Sequence, residues 1–588
     1  GITVEAANHE LRALSRRLGK ENPSTNSDYT ARAIPLATEI VGVFRPALFA
    51  LFGAAAFLLV ITCTNVASLL LARATVRERE VAVRAAIGAS RGRLIRQFLT
   101  ESILLAVMGS ALGVAVAVGA VRTLVAATPV ELPRLAGVGL DARMLAFAVA
   151  LALLTAIAFG VVPAMLMARG DMQRPLKESG RGGDAGGARR RARSTLVVAE
   201  VGLSVMLLVG AALLARSFQR LVQQDPGFRT THAVTAKVEL PYSYADFTKI
   251  VTFYDQLLTT VRTQPGVSIA GASNFLPLEA AWRGPFFVQG RPRPRSGDEA
   301  QAQHQTIDDD YFRALGVPLV KGRFFTRNDT AAAPGVVLVN EALAHRQWPN
   351  EDPIGQTVTS PITVIGPMGR SLMSQPLFQV VGVVASVKNA TLVRDAEPAI
   401  YFSFRQFPFR GLNLVVQGPG DSAALIGALR TSVQRLDPNL PLASARTVDR
   451  IVGEATDTPR ALMLLMGIFA ALALVLSALG IYSVLSYSVN QRRQELSVRM
   501  ALGARPSDVL WLVVRQGVWL ALIGGVAGAA GALAVGRAMS SLLYGVSSGD
   551  AAAFAVAIAV ALLTALAACL LPARRAATLD PLAGLRTD

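Results

Sequence analysis

Seven apolar stretches constrain this chain more than any other feature. They run over about 47–71, 102–126, 144–168, 195–215, 461–488, 516–540 and 552–573, and roughly 20 apolar residues are enough for a helix to cross the hydrocarbon core. Backbone N–H and C=O groups find no water in lipid, so continuous stretches of this kind become helices, which satisfy them internally. The chain is therefore expected to be a polytopic α-helical membrane protein. Composition agrees: of 588 residues, 52% are hydrophobic and only 17% charged, with a mean hydropathy of +0.43.

The net charge of +18 would suit nucleic-acid binding if it formed a patch. Instead, the arginines gather in short connections between spans, where topology explains them. The 72–101 loop carries Arg73, Arg77, Arg79, Arg84, Arg91, Arg93 and Arg96, and the 169–194 loop carries ARRRARS. The 489–515 loop and the tail after Pro572 are also basic. All four are expected in the cytoplasm. The poorly basic 127–143 and 544–551 connections, residues 1–45 and the polar stretch 218–458 then lie outside. An outside start with no signal-like segment before residue 45 predicts a further span upstream, eight in the parent. Cys63 and Cys569 both sit in apolar stretches and provide no disulfide framework.

An internal repeat organises the rest. At one constant offset, Arg77, Glu80, Val83, Arg84, Ala86, Gly88 and Ala89 match Arg492, Glu495, Val498, Arg499, Ala501, Gly503 and Ala504. The same offset carries Gly109 and Gly113 onto Gly524 and Gly528. The last spans of the two copies end alike, in Pro163-Ala164 and Pro572-Ala573. This predicts the tail of a truncated first outside domain over 1–45 and a first three-helix set over 46–170. A basic, Gly-rich flexible linker over 171–194 then leads to an opening span over 195–217. An outside domain over 218–458 and a second three-helix set over 459–588 complete the second copy. The outside domain reads as α+β. HAVTAKVEL and FQVVGVVASV alternate as strands, whereas TKIVTFYDQLLTTVRTQ and SAALIGALRTSVQRL have helical apolar spacing. Two lobes are expected, with a β-rich insert at about 285–415.

Catalytic groupings are scarce. His9, His232, His304 and His345 are far apart in sequence, and neither HExxH nor CxxC occurs. Asp308-Asp309-Asp310 reads as a solvated loop leading into YFRALGV. Glu200 is the one clear carboxylate inside a span and is expected to reach water or the Arg-rich segment before it. Asn65 and Tyr482 read as helix–helix hydrogen-bonding groups, and the GxxxG pairs Gly109/Gly113 and Gly524/Gly528 as close-packing sites. No metal site and no cofactor in this chain are expected.

The most specific feature is the repeated charged connector, REREVAVRAAIGA and RRQELSVRMALGA. Glu80–Arg84 and Glu495–Arg499 are i,i+4 pairs with the Glu leading, the favourable order on a helix. Gly88 and Gly503 stand where such a helix would end. Each connector is expected to be a short helix at the cytoplasmic membrane surface, and its repetition favours a docking element over a plain interfacial helix.

These connectors resemble those of the FtsX/MacB superfamily of ABC transporter permeases, as do LMGIFAALALVLSALGIYSVLSYSV and the ending PARRAATLDPLAGLR. DDDYFRALGVPLVKGRFFTRND, VVLVNEALAHRQWPNEDPIG and VVGVVASVKNATL resemble the MacB-type periplasmic core domain. Two permease units in one chain without an ATPase resemble the duplicated, acidobacterial-type permeases. The resemblance implies an inner-membrane permease subunit with a periplasmic domain and a cytoplasmic C-terminus. Its partners would be a separate ATP-binding dimer carrying ATP and Mg, membrane lipid, and a periplasmic adaptor or outer-membrane channel, with no nucleic acid. It implies no catalysis in the chain itself: ATP hydrolysed elsewhere would move the periplasmic domain by mechanotransmission to export or extract a substrate. Arg77, Glu80, Arg84, Gly88, Arg492, Glu495, Arg499 and Gly503 would couple to the ATPase. The alternative is a transmembrane regulator that relays an ATPase cycle to a periplasmic partner.

Overall fold

The computed structural model describes residues 2–22, 30–86, 91–127, 141–154, 185–279, 281–292, 294, 298–365, 371–374, 376–389 and 391–578. They form two compact units, a membrane unit (Pro46–Arg216 with Leu462–Asp588) and a sheet unit (Gly1–Arg45 with Ser217–Ala461). The helices in chain order are α1 (Val4–Glu21), α2 (Leu36–Ala86), α3 (Arg91–Ala127), α4 (Ala142–Leu154), α5 (Ala185–Val222), α6 (Phe247–Arg262), α7 (Tyr311–Ala314) and α8 (Glu341–Gln347). They continue as α9 (Ser422–Leu436), α10 (Val448–Gln491), α11 (Arg493–Ala501), α12 (Pro506–Ala538) and α13 (Ala551–Ala577).

Among the described residues, six helices are long and apolar enough to cross a membrane, lying within α2, α3, α5, α10, α12 and α13. Of the expected third span, 144–168, the apolar helix α4 is described as far as Leu154 and the remainder lies outside the described residues. The linker expected over 171–194 is shorter than its glycines suggest. Helix α5 already starts at Ala185 and includes Gly186, Gly187 and the Arg-rich segment, because Ala and Arg are strong helix formers and outweigh two glycines.

The membrane unit has two packed clusters. In the first, α5 contributes Val197, Val201, Val205, Val209 and Leu213, a ridge repeating every fourth residue. Small residues of α12 (Gly517, Ala521, Gly524, Gly528, Ala532 and Gly536) form a buried groove at matching spacing, the arrangement that lets ridges enter grooves. Ala553, Ala557, Ala565 and Cys569 of α13 complete this cluster. In the second cluster, Ala54 and Ile61 of α2 meet Leu207 of α5 and Met466, Ala470 and Ala473 of α10. A helix of the first copy thus packs directly on helices of the second.

The sheet unit has strands β1 (Ala233–Glu239), β2 (Ile269–Ser273), β3 (Trp282–Pro285), β4 (Phe287–Val288), β5 (Gln301–Ile307), β6 (Leu319–Gly322) and β7 (Val336–Asn340). The remainder are β8 (Thr357–Thr359), β9 (Ile362–Ile365), β10 (Ser371–Ser374), β11 (Leu377–Val384), β12 (Ala399–Ser403), β13 (Gly411–Gln417) and β14 (Ala443–Thr447). Twelve of them form one mixed sheet in the order β14-β1-β13-β2-β5-β12-β7-β11-β8-β4, with β3 on β5 and β6 on β11. β5 with β12 and β7 with β11 run parallel. Helices α6 and α9 cover the first four strands, burying Ile250, Leu257, Leu425 and Leu429 against Val234, Ala236, Leu412 and Leu414. Phe378, Val380, Ile400 and Phe402 form a separate core with Leu343 and Trp348. A third core around Tyr311, Phe312 and Tyr401 draws from strands on both sides.

The two halves of the sheet join at one bridge, Ser273 to Ile307. Polar groups strengthen this seam. The Ala272 amide donates to Asp308 Oδ1 at 2.7 Å, and Asp308 N–H donates to the Ala272 carbonyl at 2.9 Å. Gln305 Nε2 donates to Ser273 Oγ at 2.7 Å. Arg262 Nη2 reaches Asp308 at 2.7 Å and Asp310 at 3.0 Å, while Arg405 pairs with Asp255 and, at 3.5 Å, with Asp309. The aspartate triplet is therefore not the solvated loop its composition suggests, since Asp308 is 2% exposed. Arginines distant in sequence supply the countercharge that makes its burial possible.

Burial pushes the Asp308 carboxyl up to about 7, against the opposing pull of Arg262. A raised carboxyl pKa means that the folded state holds a proton the unfolded state has released. This contribution is complete below the unfolded value near 3.8 and is lost as pH rises through about 7. Removing Arg262 is thus most damaging when Asp308 is ionised. Arg262→Met is expected to cost about 3–5 kcal/mol at pH 8 and distinctly less at pH 5, where Asp308 takes up a proton. Denaturation of the full chain at the two pH values, followed by proteolysis of the sheet unit, checks this; equal losses would contradict it.

Candidate functional site

The second connector is built by two opposed chain signals. Helix α10 ends at Gln491, and the Arg492 N–H is shared between the Ser488 and Val489 carbonyls at 3.2 Å each. Helix α11 follows, with Glu495 in its first turn and Arg499 in its last, each at the end of the helix dipole that favours its charge. Arg499 Nη2 meets Glu495 Oε1 at 2.6 Å, and Arg492 stands 3.9 Å from the same carboxylate. Both members of the closer pair are about half exposed, so the pair adds only about 0.3–0.5 kcal/mol to the helix. Leu496 and Ser497 face inward; Glu495, Val498, Arg499 and Leu502 face outward.

Gly503 closes the helix. It has φ of +98°, and its N–H donates to Met500 O at 3.1 Å while Ala504 N–H donates to Arg499 O at 3.0 Å. Those two bonds are a Schellman cap, whose left-handed position suits glycine. Arg505 then precedes Pro506 at the first position of α12, and the Asp508 carboxylate accepts from the Arg505 N–H at 3.1 Å. The connector is a rigid corner between two long apolar helices.

The first connector is built differently. Helix α2 runs unbroken from its apolar part through Arg77, Glu80 and Arg84 to Ala86, so the separate short helix expected there is a continuation of the span. Gly88 lies outside the described residues.

Two arginine–tyrosine contacts hold the end of α10 beside the second connector. Arg575 Nη1 of α13 donates to the Tyr482 hydroxyl at 2.9 Å, and the Arg193 guanidinium of α5 lies 3.9 Å from the centre of the Tyr487 ring. Tyr482 had a sequence signal as a helix-pairing group. Arg193 did not, because its run of arginines is accounted for by topology alone.

The small-residue sites of the two copies differ. A side chain on Gly524 would meet Val198 O and Val201 Cβ at 2.8 Å, and one on Gly528 would meet Gly202 O at 2.5 Å and Val205 Cβ at 2.8 Å. Gly202 closes the contact from α5, 3.3 Å from Gly524 O by the same measure. Around Gly109 and Gly113, by contrast, no described atom lies within 4 Å of where a side chain would begin. The expected matched packing of the first pair is thus not made among the described residues: the opening helix that receives the second pair is α5, and it is already occupied by α12.

Glu200 is 1% exposed, and the side chain that meets its carboxylate among the described residues is Asn65 of α2, not an arginine of the preceding segment. Asn65 Nδ2 donates to Glu200 Oε1 at 2.5 Å and to the Leu476 carbonyl at 2.9 Å. Gly480 lies against the same carboxylate.

The described histidine nearest to a hydroxyl in the sheet unit is His304. Ser360 Oγ is 3.2 Å from His304 Nε2, but both are buried, with Trp282 and Phe402 edge-on to the ring. Burial pushes the imidazole down to about 4. Among the described residues, no group of three or more His, Cys, Asp or Glu is placed to hold a metal ion.

The contrast between the two glycine pairs is testable. Gly528→Ala is expected to destabilise the membrane unit by about 1–3 kcal/mol through overpacking, whereas Gly113→Ala is tolerated. Thermal unfolding in detergent, read as the shift in midpoint for each variant, decides the point; equal shifts would refute it.

Comparison with known proteins places these features in a family. The FtsX-like permease C-terminal model matches twice, over residues 52–172 and 467–581, and the MacB-like periplasmic core domain model matches 194–432. The pyoverdine export ATP-binding/permease protein PvdT of Pseudomonas syringae pv. tomato is 28% identical over 313 residues, covering 51% of this chain and 45% of its own. The macrolide export ATP-binding/permease protein MacB of Vibrio parahaemolyticus is 26% identical over 305 residues, covering 50% of this chain and 44% of its own. The chain thus spans less than half the length of these relatives. The crystallised periplasmic region of MacB from Actinobacillus actinomycetemcomitans aligns over 41% of this chain and 99% of its own, at 16% identity and a TM-score of 0.26. With two permease matches flanking one periplasmic-core match, in the order the repeat requires, the chain belongs to the FtsX/MacB superfamily of ABC transporter permeases as a duplicated, multi-pass member.

Proposed function

We propose that the chain is the permease subunit of an ABC-type exporter, in which a separate ATP-binding dimer docks on the two connectors and its cycle moves the sheet unit. The observation that carries this reading is the second connector. A short capped helix with an outward Glu495–Arg499 pair and an outward Leu502 is fixed rigidly between two spans, and its sequence recurs in the first copy. A solvated loop needs neither the cap nor the fixed frame. The sheet unit stands on the periplasmic side and the C-terminus in the cytoplasm, as the arginine distribution of the connections supports. Export is supported by the names of the relatives, PvdT and MacB.

ATP and Mg belong to the partner in this scheme, and the chain binds no cofactor of its own. Motion of the sheet unit, not passage through a polar channel, moves the substrate. In support, two polar contacts inside the membrane unit are internal ones: Asn65 with Glu200, and Ser204 with the Ala473 backbone carbonyl at 3.1 Å. A periplasmic adaptor or outer-membrane channel would receive the exported molecule.

Charge reversal tests the docking. In the full-length protein, Arg499→Glu combined with Arg84→Glu is expected to abolish co-purification with the cognate ATPase and its stimulation by the permease. The Arg499→Lys variant retains both. Unchanged stimulation in the double reversal would remove the connectors from the interface.

A further inference from the structure

The alignment that carries Arg77 onto Arg492 and Gly109 onto Gly524 also carries Asn65 onto Gly480. In the structure these two matched positions face the same carboxylate. Asn65 of α2 donates to Glu200 of α5, and Gly480 of α10 lies so close to Glu200 that any side chain there would overlap it. The second Asn65 bond, to the Leu476 carbonyl, ties the same amide to α10. One side chain from the first copy therefore links two helices of the second.

The rest of the packing between α2 and the other two helices is mostly apolar, and the neighbouring Ser204 bond to the Ala473 carbonyl joins α5 to α10 without involving α2. Ala54 and Ile61 of α2 pack on Leu207, Met466, Ala470 and Ala473, and helices already in lipid gain no hydrophobic energy by choosing one such face over another. α10 is the repeat equivalent of α2, so an α10 from another chain would present a similar apolar face to α5. It would bring Gly480 where α2 brings Asn65. Glu200 would then be buried without a side-chain donor, a strong penalty against the wrong partner.

We infer that Asn65 and Glu200 form a partner-specifying pair, which makes the two permease copies of one chain assemble with each other instead of with a second chain. The surface concerned is the α2 face of α5 and α10, and its occupant is the first copy of the same polypeptide. The two permease copies then pair within one molecule. This conclusion rests on the repeat and the membrane-unit geometry and is independent of the ATPase-docking proposal.

The test uses the full chain in lipid nanodiscs, co-expressed with two different affinity tags, and compares wild type, Asn65→Leu and the double variant Asn65→Leu/Glu200→Leu. Wild type is expected as one chain per particle by native mass spectrometry, with no co-purification of the two tags. Asn65→Leu strands the carboxylate and lowers the thermal midpoint. The double variant recovers that midpoint because an apolar pair replaces the polar one, yet it lets the two tagged copies co-purify. Co-purification in wild type, an unchanged midpoint in Asn65→Leu, or a double variant that stays one chain per particle would each overturn the inference. Should Asn65→Leu fail to fold, the double variant alone still decides, through its tag exchange.

Discussion

The membrane unit depends on direct backbone contact between α5 and α12. Apolar side chains gain nothing by leaving lipid for another apolar face, so helices there are held by close packing and a few polar contacts. Gly202 against Gly524 and Gly528 brings the two backbones together, and the valine ridge of α5 enters the small-residue groove of α12. With that pair fixed, α13 closes on α12, and α10 is held at one end by Arg193 and Arg575 through two tyrosines. The orientation of α11 follows, since it is capped rigidly at Gly503 between α10 and α12.

The sheet unit solves a different problem with charge. A single strand bridge cannot hold two halves of a sheet in register. The seam is supplemented by a common aromatic core and by buried aspartates that reach arginines on α6 and after β12. Such pairs gain little net energy, but removing one partner is costly. They fix how the halves meet more than how strongly.

Periodicity revealed most of the architecture. Apolar length located the spans, and period-two alternation located β1 and β11, because both signals are local. The second connector was equally legible: Glu495, Arg499 and Gly503 act within one helix and its cap. What could not be read were contacts made across the chain. Asp308 looks like a solvent residue until Arg262 is known to face it. Glu200 looks reachable by water until α2 is laid across it. The repeat itself misled in one respect. It implied equal surroundings for Gly109 and Gly524, yet neighbours are set by assembly, and among the described residues the second pair alone has α5 beside it.

Two segments of chain join the second copy's spans to its sheet, and they differ in length. Helix α5 ends at Val222, and the strand it leads to begins at Ala233, with an irregular stretch between. At the other side β14 ends at Thr447 and α10 begins at Val448, with no residue intervening. β14 is an outermost strand, hydrogen-bonded within the sheet to β1 alone among the described residues. The stretch after α5 is pinned to the sheet unit: Phe228 is buried in its core, the Arg229 N–H donates to the Leu315 carbonyl at 2.7 Å, and the Lys388 N–H donates to the Pro226 carbonyl at 3.2 Å. The chain thus enters the sheet through a short pinned stretch and leaves it from an outermost strand with no linker at all.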